Sequence, residues 1–345
     1  MKKKSTSVYV CPLSHTAFSL EKGESTGSEE IFSGNLISKK GQSYVIQHGI
    51  PNFLPKDQID KDESKIQEEY DAMADQFYDA ALNWLFESFY ESEDTIRGGM
   101  IDLLELKKDS RVLEVGCGTG RDSFRIAQRL GKEGTLFLQD ISPKMVVKTK
   151  KVLGDTYEKL GLACELDYFV SSATHLPFPD GYFDSLFHFG GFNHFAQQKQ
   201  ALEEFSRVVK KGGKVVFGDE SLPPWLEDTE FGKIVINNNS LFKFKAPLEC
   251  IPQNSRQVVL RWILGSCFFL IDYKVGEGLP PINLDLPHQG RRGGTMRTRY
   301  FGQLEGVTLE AKKMAQDAAQ KAGLSLHDWL DRLVRDGAKI KSDKK

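Results

Sequence analysis

The segment that most constrains this chain of 345 residues is Val112-Leu113-Glu114-Val115-Gly116-Cys117-Gly118-Thr119-Gly120. An apolar run of strand type feeds straight into a turn with glycine at every second position, and a helical pattern opens behind it. Glycines at 116, 118 and 120 remove the Cβ atoms that would block a ligand, and they permit positive φ. Twenty residues beyond Gly120, at the end of the next apolar run, stands Asp140. A carboxylate there can accept both hydroxyl hydrogens of a ribose. The pattern predicts a ligand crevice at the carboxyl edge of a parallel sheet.

The surrounding chain fits such a sheet. Strand-like runs occur at Arg111–Val115, Thr135–Gln139, Tyr168–Val170, Ser185–Phe189 and Lys214–Phe217, with helical patterns at Asp122–Leu130, Pro143–Leu153 and Lys199–Val209. Strand and helix in alternation imply a sheet covered on both faces. Val258–Leu264 and Cys267–Val275 read as a hairpin with Gly265-Ser266 as a two-residue turn. The expected fold class is α/β: a Rossmann-like doubly wound sheet, mostly parallel, with a C-terminal antiparallel hairpin. A small β-rich N-terminal module and a helical C-terminal tail flank it.

Boundaries follow from composition. Residues 1–56 form the β-rich module, with short β-type runs at Val8–Val10 and Tyr44–Ile46. Residues 57–106 are a charged linker and helices that cap the crevice, split at Gly98-Gly99. Residues 107–280 hold the sheet, and 220–257, with Pro223-Pro224 and Asn237–Asn239, break its rhythm as an insertion or lid. Residues 281–345 are a basic loop and helical tail. In it Thr298–Leu304 alternates like a strand, and Leu309–Ala322 and Ser325–Val334 read as helices, with Ser325 as a cap.

Net charge is −2, so no global field draws the chain to nucleic acid or an acidic surface. Basic residues do cluster at Arg291, Arg292, Arg297 and Arg299, and at Lys339–Lys345, which leaves phosphate contact open. Five scattered cysteines with no CxxC pair form no disulfide framework and fit a reducing cytosol. The longest apolar stretch, Cys267–Ile271, falls far short of the ~20 residues of a membrane helix. A cytoplasmic protein without a membrane span is expected. The histidines at 15, 48, 175, 188, 194, 288 and 327 show no short ligand spacing, so no metal is expected.

Two nucleosides suit the glycine turn: NAD, or S-adenosylmethionine (SAM). The turn is GxGxG rather than GxGxxG, and Glu114 precedes it within the strand. A negative group there suits a sulfonium and an ammonium and repels a pyrophosphate. The reading is therefore SAM.

At these residues the chain resembles a known family. The glycine turn, then Asp140-Ile141-Ser142-Pro143-Lys144-Met145, Leu176–Asp184 and Glu203–Gly213 look like the class I SAM methyltransferases, in the branch of the ubiquinone/menaquinone-biosynthesis enzymes. The resemblance covers about residues 70–275. It implies Glu114 near the methionine ammonium, with backbone at Gly116, Cys117 and Gly118 lining the methionine and ribose. It also implies Asp140 on the ribose, Ile141 and Met145 against the adenine, and Ser172 and Ala173 at the adenine edge. Core packing is the alternative for Ile141 and Met145. Ser172 stands where the family usually has an aspartate, so its contact should be weaker. The stretch Glu69–Asp79 is similar to the helix that closes over SAM in this branch, with Tyr70 and Tyr78 able to face the sulfonium. Residues 8–55 resemble a small zinc-ribbon module that has lost its cysteine pairs. Cys11, His15 and His48 alone cannot complete four ligands, so the ribbon shape is expected without zinc. The tail is similar to ribbon-helix-helix modules. The preferred reading is a helical hairpin that packs on the catalytic domain or mediates self-association.

The acceptor side is expected at the rim of the fourth and fifth strands. His194 is a candidate general base, and the alternative is a loop histidine with a structural hydrogen bond. Asp219, after the fifth strand, orients an acceptor, serves as a base, or is a loop or cap residue. His188 reads as a satisfied core residue. Phe189, Phe192, Phe195 and Trp225 make an aromatic rim, and Phe189 is also a candidate cofactor contact. The leading expectation is methyl transfer to a small or lipid-like acceptor. RNA methylation, or a non-catalytic SAM- or DNA-binding regulator, are the alternatives.

Overall fold

The computed structural model describes residues 1–26, 29–54, 68, 78–157, 159–291, 293–301 and 307–342. They divide into two units, Met1–Pro280 and Pro281–Lys345.

The first unit is built on a seven-stranded sheet. Its strands are β5 (Arg111–Val115), β6 (Thr135–Asp140), β7 (Glu165–Val170), β8 (Phe183–Phe189), β9 (Val209–Glu220), β10 (Ser255–Ile263) and β11 (Phe268–Val275). The spatial order is β10-β11-β9-β8-β5-β6-β7. The five strands from β5 to β9 are parallel, and β10 and β11 are antiparallel additions. The central strands are buried on both faces, which is why β6 reads as the near-continuous run Leu136-Phe137-Leu138 rather than an alternation. From β5 the chain builds outward through β6 and β7, then returns to place β8 on the other side. A doubly wound sheet has its crevice at that reversal, beyond the strand tips. The hairpin is present as expected, but its last ladder pair is Ile263 with Phe268, so Leu264–Cys267 join the strands, with Leu264, Gly265 and Ser266 at φ 49°, 61° and 61° and the Cys267 N–H donating to the Leu264 carbonyl at 2.9 Å.

Helices α1 (Tyr78–Ser88) and α2 (Glu93–Asp102) precede the sheet. Helices α3 (Arg121–Arg129), α4 (Pro143–Tyr157) and α5 (Gln198–Val208) follow β5, β6 and β8, respectively. Ile126 of α3 and Val146 and Leu153 of α4 pack on one sheet face with Met100 and Ile101 of α2. On the other face lie Ala201, Leu202 and Phe205 of α5. The break before α2 is not at Gly98-Gly99, which are helical. It falls at Tyr90–Ser92, where Tyr90 takes φ 54° and the Ser92 hydroxyl accepts from Thr95 N–H. Gly98 in mid-helix leaves its carbonyl open to Arg129 Nη2 at 3.0 Å.

The N-terminal residues form a four-stranded antiparallel sheet, β1 (Phe18–Thr26), β2 (Glu30–Ser38), β3 (Ser43–Gln47) and β4 (Ile50–Pro51). The Val8–Val10 strand expectation is corrected: only Val10 makes an isolated bridge, to Ala17. Tyr9 instead drives its ring among Phe53, Phe178 and Phe169, at 4.9, 5.2 and 5.7 Å, and donates to Asp167 Oδ1 at 3.1 Å. The connection from β7 to β8 contains no helix. Tyr9 and Phe53 cover the face that such a helix would cover, so this sheet shares the main core.

Residues 220–257 carry α6 (Pro224–Glu227) and α7 (Glu230–Asn238), the latter capped by Thr229 accepting from Gly232 N–H at 3.0 Å. In the second unit, α8 (Met296–Phe301) takes up Thr298–Phe301 of the strand expected at Thr298–Leu304, and Gly302, Gln303 and Leu304 lie outside the described residues. Helices α9 (Leu309–Lys321) and α10 (Leu326–Ser342) form the hairpin. Ser325 caps α10 by accepting from Asp328 N–H at 3.1 Å. Arg297 is paired with Asp285 at 3.1 Å and Arg299 holds the Gly293 carbonyl at 2.8 Å, which reduces the free positive charge of this segment.

Candidate functional site

The tips of β5 and β6 are bound together through the glycine turn. Gly116 and Gly118 take φ 70° and 51°, left-handed values that most side chains resist. The Gly116 N–H donates to Gln139 Oε1 at 3.1 Å, and the Cys117 N–H to the Gln139 carbonyl at 2.8 Å. Asp140 then accepts from Gly118 N–H through Oδ2 and from Ser142 N–H through Oδ1, both at 2.9 Å. One carboxylate thus fixes the end of the turn and the entrance to α4. A Cβ on Gly116 would lie 3.3 Å from the His188 ring, so glycine is needed there for space as well as for φ.

An open cleft lies over these tips. Gly116, Gly118, Asp140, Ile141, Met145, Ser172, Ala173, Phe189 and His194 all line it. Met145 is buried where α4 begins, its N–H donating to Ser142 Oγ at 3.1 Å. The Ser172 hydroxyl lies 2.7 Å from Thr174 Oγ1 in a tight turn after β7. Beyond β8, Gly190 and Gly191 take φ 80° and 94° and swing the chain into the short turn Phe192–His194.

Other expected site residues lie elsewhere. Glu114 is buried behind the turn and does not line the cleft. Burial pushes its carboxyl well up, and Asp122 adds to this, while Arg97 pulls it back. Cys117 is likewise buried outside the cleft, its thiol pushed well up by burial. Gly120 caps α3 at φ 86°, and a Cβ there would meet Thr149 of α4 at 3.3 Å, so this glycine serves helix packing. Asp219 as a base in the cleft is corrected. Its side chain is sealed at 0% exposure and accepts from the backbone N–H groups of Asn193, Glu220 and Gly191 at 2.5, 2.9 and 3.3 Å. Burial raises its carboxyl well above the ordinary range, Glu220 raises it further, and the amides of Asn193 and Glu220 oppose this. Asp219 therefore holds the loop that carries His194. Tyr70 lies outside the described residues, and Tyr78 opens α1 with its side chain outside them.

Sequence reasoning missed three contributors. Gln139 lines the cleft and ties both neighbouring tips, a role its place before Asp140 could have suggested. Arg97 is buried at 4% exposure, bridges Glu93 at 2.7 Å and Asp122 at 2.5 Å, and lies 6.0 Å from the Phe189 ring. His188, taken as a satisfied core residue, is not one. Its Nδ1 bonds the Val115 carbonyl at 2.8 Å, and its Nε2 has no partner. A buried acceptor left so costs about 1–3 kcal/mol.

The comparisons bear directly on this region. The model of a family described as "Methyltransferase domain" matches residues 106–262. Residues 106–262 are an S-adenosylmethionine-dependent methyltransferase domain. The chain is 26% identical over 181 residues to the ubiquinone/menaquinone biosynthesis C-methyltransferase UbiE of Psychromonas ingrahamii, covering 49% of this chain and 70% of that one. The UbiE of Edwardsiella ictaluri is 29% identical over the same length, with the same two coverages. That of Yersinia enterocolitica is 30% identical over 123 residues, 36% of this chain and 47% of the relative. The methyltransferase cleft fits SAM physically. It offers bare backbone at Gly116 and Gly118, an acid at the β6 tip, and apolar walls at Ile141 and Met145. No described helix is long and apolar enough to cross a membrane.

Proposed function

We propose that this chain transfers the methyl group of SAM to a small or lipid-like acceptor held over the tips of β8 and β9. The observation that carries the reading is the placement of Asp140 beside the bare glycine turn. When bound, SAM supplies a methyl carbon already activated by a sulfonium, so the protein has chiefly to align partners and exclude water. Asp140 would take the ribose hydroxyls, at the cost of loosening its bonds to Gly118 and Ser142 N–H. Ile141 and Met145 would sandwich the adenine, with Ser172 and Ala173 at its edge. Backbone at Gly116 and Gly118 would pass the ribose and methionine, and Phe189 would shield the sulfonium side.

Among the described residues lining the cleft, the titratable side chains are Asp140, His188 and His194. Burial lowers His188 to about 4, which makes it a weak base. With Asp140 placed at the ribose, His194 is left to receive a proton from the acceptor. No lysine or arginine lines the cleft among the described residues, and Val115, Phe189 and Phe195 give it an apolar acceptor end. That favours an uncharged or lipid-like acceptor over a polyphosphate backbone.

The test is incubation of the full chain with methyl-labelled SAM and a fractionated cell extract. Label in the metabolite or lipid fraction is expected. Label in RNA would replace the acceptor class, and label in no fraction would point to a SAM-binding regulator.

A further inference from the structure

Beside the cleft lies a second cavity, lined by His15, His175, Gln200 and Glu203, with Thr174 in the walls of both. His175 itself does not line the cleft. The turn after β7 is closed by the His175 N–H on the Ser172 carbonyl and the Thr174 N–H on the Ser172 hydroxyl oxygen, both at 3.2 Å. Ser172 Oγ lies 2.7 Å from Thr174 Oγ1, which lies 2.9 Å from His175 Nδ1. A row of polar atoms thus runs from the cleft wall to a histidine outside it.

The direction of these bonds follows from Gln200. Its Nε2 lies 3.2 Å from the Thr174 carbonyl and 3.4 Å from His175 Nε2. A carbonyl can only accept, so the amide group turned to it is the NH2, and that NH2 also faces the imidazole. His175 Nε2 is therefore an acceptor, and the ring hydrogen sits on Nδ1. Nδ1–H donates to Thr174 Oγ1. A hydroxyl that accepts in this way is polarised to donate onward, so Thr174 O–H points to Ser172 Oγ. Ser172 Oγ then accepts twice, from the Thr174 hydroxyl and the Thr174 N–H, and what it offers a ligand is its hydrogen.

The outer edge of adenine carries a donor, the 6-amino group, beside an acceptor, N1. An aspartate at position 172 would suit the amino group, since a carboxylate only accepts. A donating hydroxyl suits N1. We propose that His175, acting through Thr174, makes the Ser172 hydroxyl a donor to adenine N1, so that this chain selects its cofactor by the ring nitrogen rather than by the amino group. The proposal rests on the cleft seating SAM with its adenine at the tip of β7. His175 is a positioning residue here, because it bonds Thr174 and does not line the cleft.

The experiment is calorimetric titration of the full chain with S-adenosylhomocysteine and two analogues, one with CH in place of N1 and one with hydrogen in place of the 6-amino group. The 1-deaza analogue should bind about tenfold more weakly than the parent, near 1.4 kcal/mol, because it leaves the hydroxyl hydrogen facing carbon. The deamino analogue should stay within about threefold. His175→Leu should shrink the 1-deaza penalty to less than about threefold, and His175→Asn, which keeps a donor near the place of Nδ1, should restore it. A merely structural loss would weaken all three ligands alike. The wild-type series stands on its own if the variants fold poorly. The reverse order of the two analogues, equal binding of all three, or a penalty that His175→Leu leaves intact overturns the proposal and leaves the cofactor reading standing. A wild-type chain that binds none of the three overturns both.

Discussion

Two carboxylates at strand tips use the same bond pattern for different ends. Asp140 closes β6 and accepts from Gly118 and Ser142 N–H, and Asp219 near the end of β9 accepts from Gly191, Asn193 and Glu220 N–H. Asp140 faces the cleft, whereas Asp219 is sealed from it. An acid that lines a cleft can trade backbone bonds for ligand hydroxyls. A sealed one can only hold its loop. Access to the cleft, rather than residue type or strand position, separates a binding group from a scaffold group here.

The largest effect is expected at the acid that lines the cleft. Asp140→Ala removes a charged acceptor from two hydroxyls, at about 1.5–3 kcal/mol each, and S-adenosylhomocysteine affinity should fall by hundreds to thousands of times in a titration. A loss under tenfold would erase the distinction between the two acids. His188, on the strand between β5 and β9, gives the next largest effect, on stability. Its basicity is lowered to about 4 from an unfolded value of 6.5. Between those pH values the unfolded chain binds the extra proton, so stability rises with pH through the window and levels off above it. The change is roughly 3 kcal/mol, read from urea unfolding at pH 4.5 to 7, and His188→Phe should flatten it.

Smaller changes sharpen the contrast. Asp219→Ala strands buried N–H groups and should cost about 2 kcal/mol of stability. It should also slow methyl transfer by disordering the His194 loop, yet leave S-adenosylhomocysteine affinity within about threefold, since the cofactor end is untouched. A large affinity loss would put Asp219 in the site after all. Gly120→Ala forces a side chain into φ 86° against Thr149. About 1–2 kcal/mol of stability should go, with affinity unchanged, as measured by thermal melting alongside the titration.

The legible part of the molecule was what local pattern determines. β5 ends where its apolar run ends, at Val115, and the adjacent glycines and Asp140 mark the crevice without tertiary information. The cleft walls at Ile141 and Met145 followed from the family resemblance. What stayed hidden depends on distant partners. Asp219 is sealed because β11 pairs beside it, Phe269 opposite Asp219, and because the 191–193 loop folds over it. The vacancy at His188 arises from a carbonyl 73 residues earlier taking one nitrogen and three phenylalanines closing the other side. Tyr9 read as a strand residue because β-type residues flank it. Its burial against Phe53 and Phe178 comes from the whole N-terminal sheet docking on β6 and β7.

The most direct measurement is a paired calorimetric titration of the wild-type chain with S-adenosylhomocysteine and with NAD. A saturable one-to-one heat with the first and none with the second is expected, because Asp140 and the short glycine turn seat an adenosine whose tail carries no pyrophosphate. Saturable NAD binding, or silence with S-adenosylhomocysteine, would contradict the account.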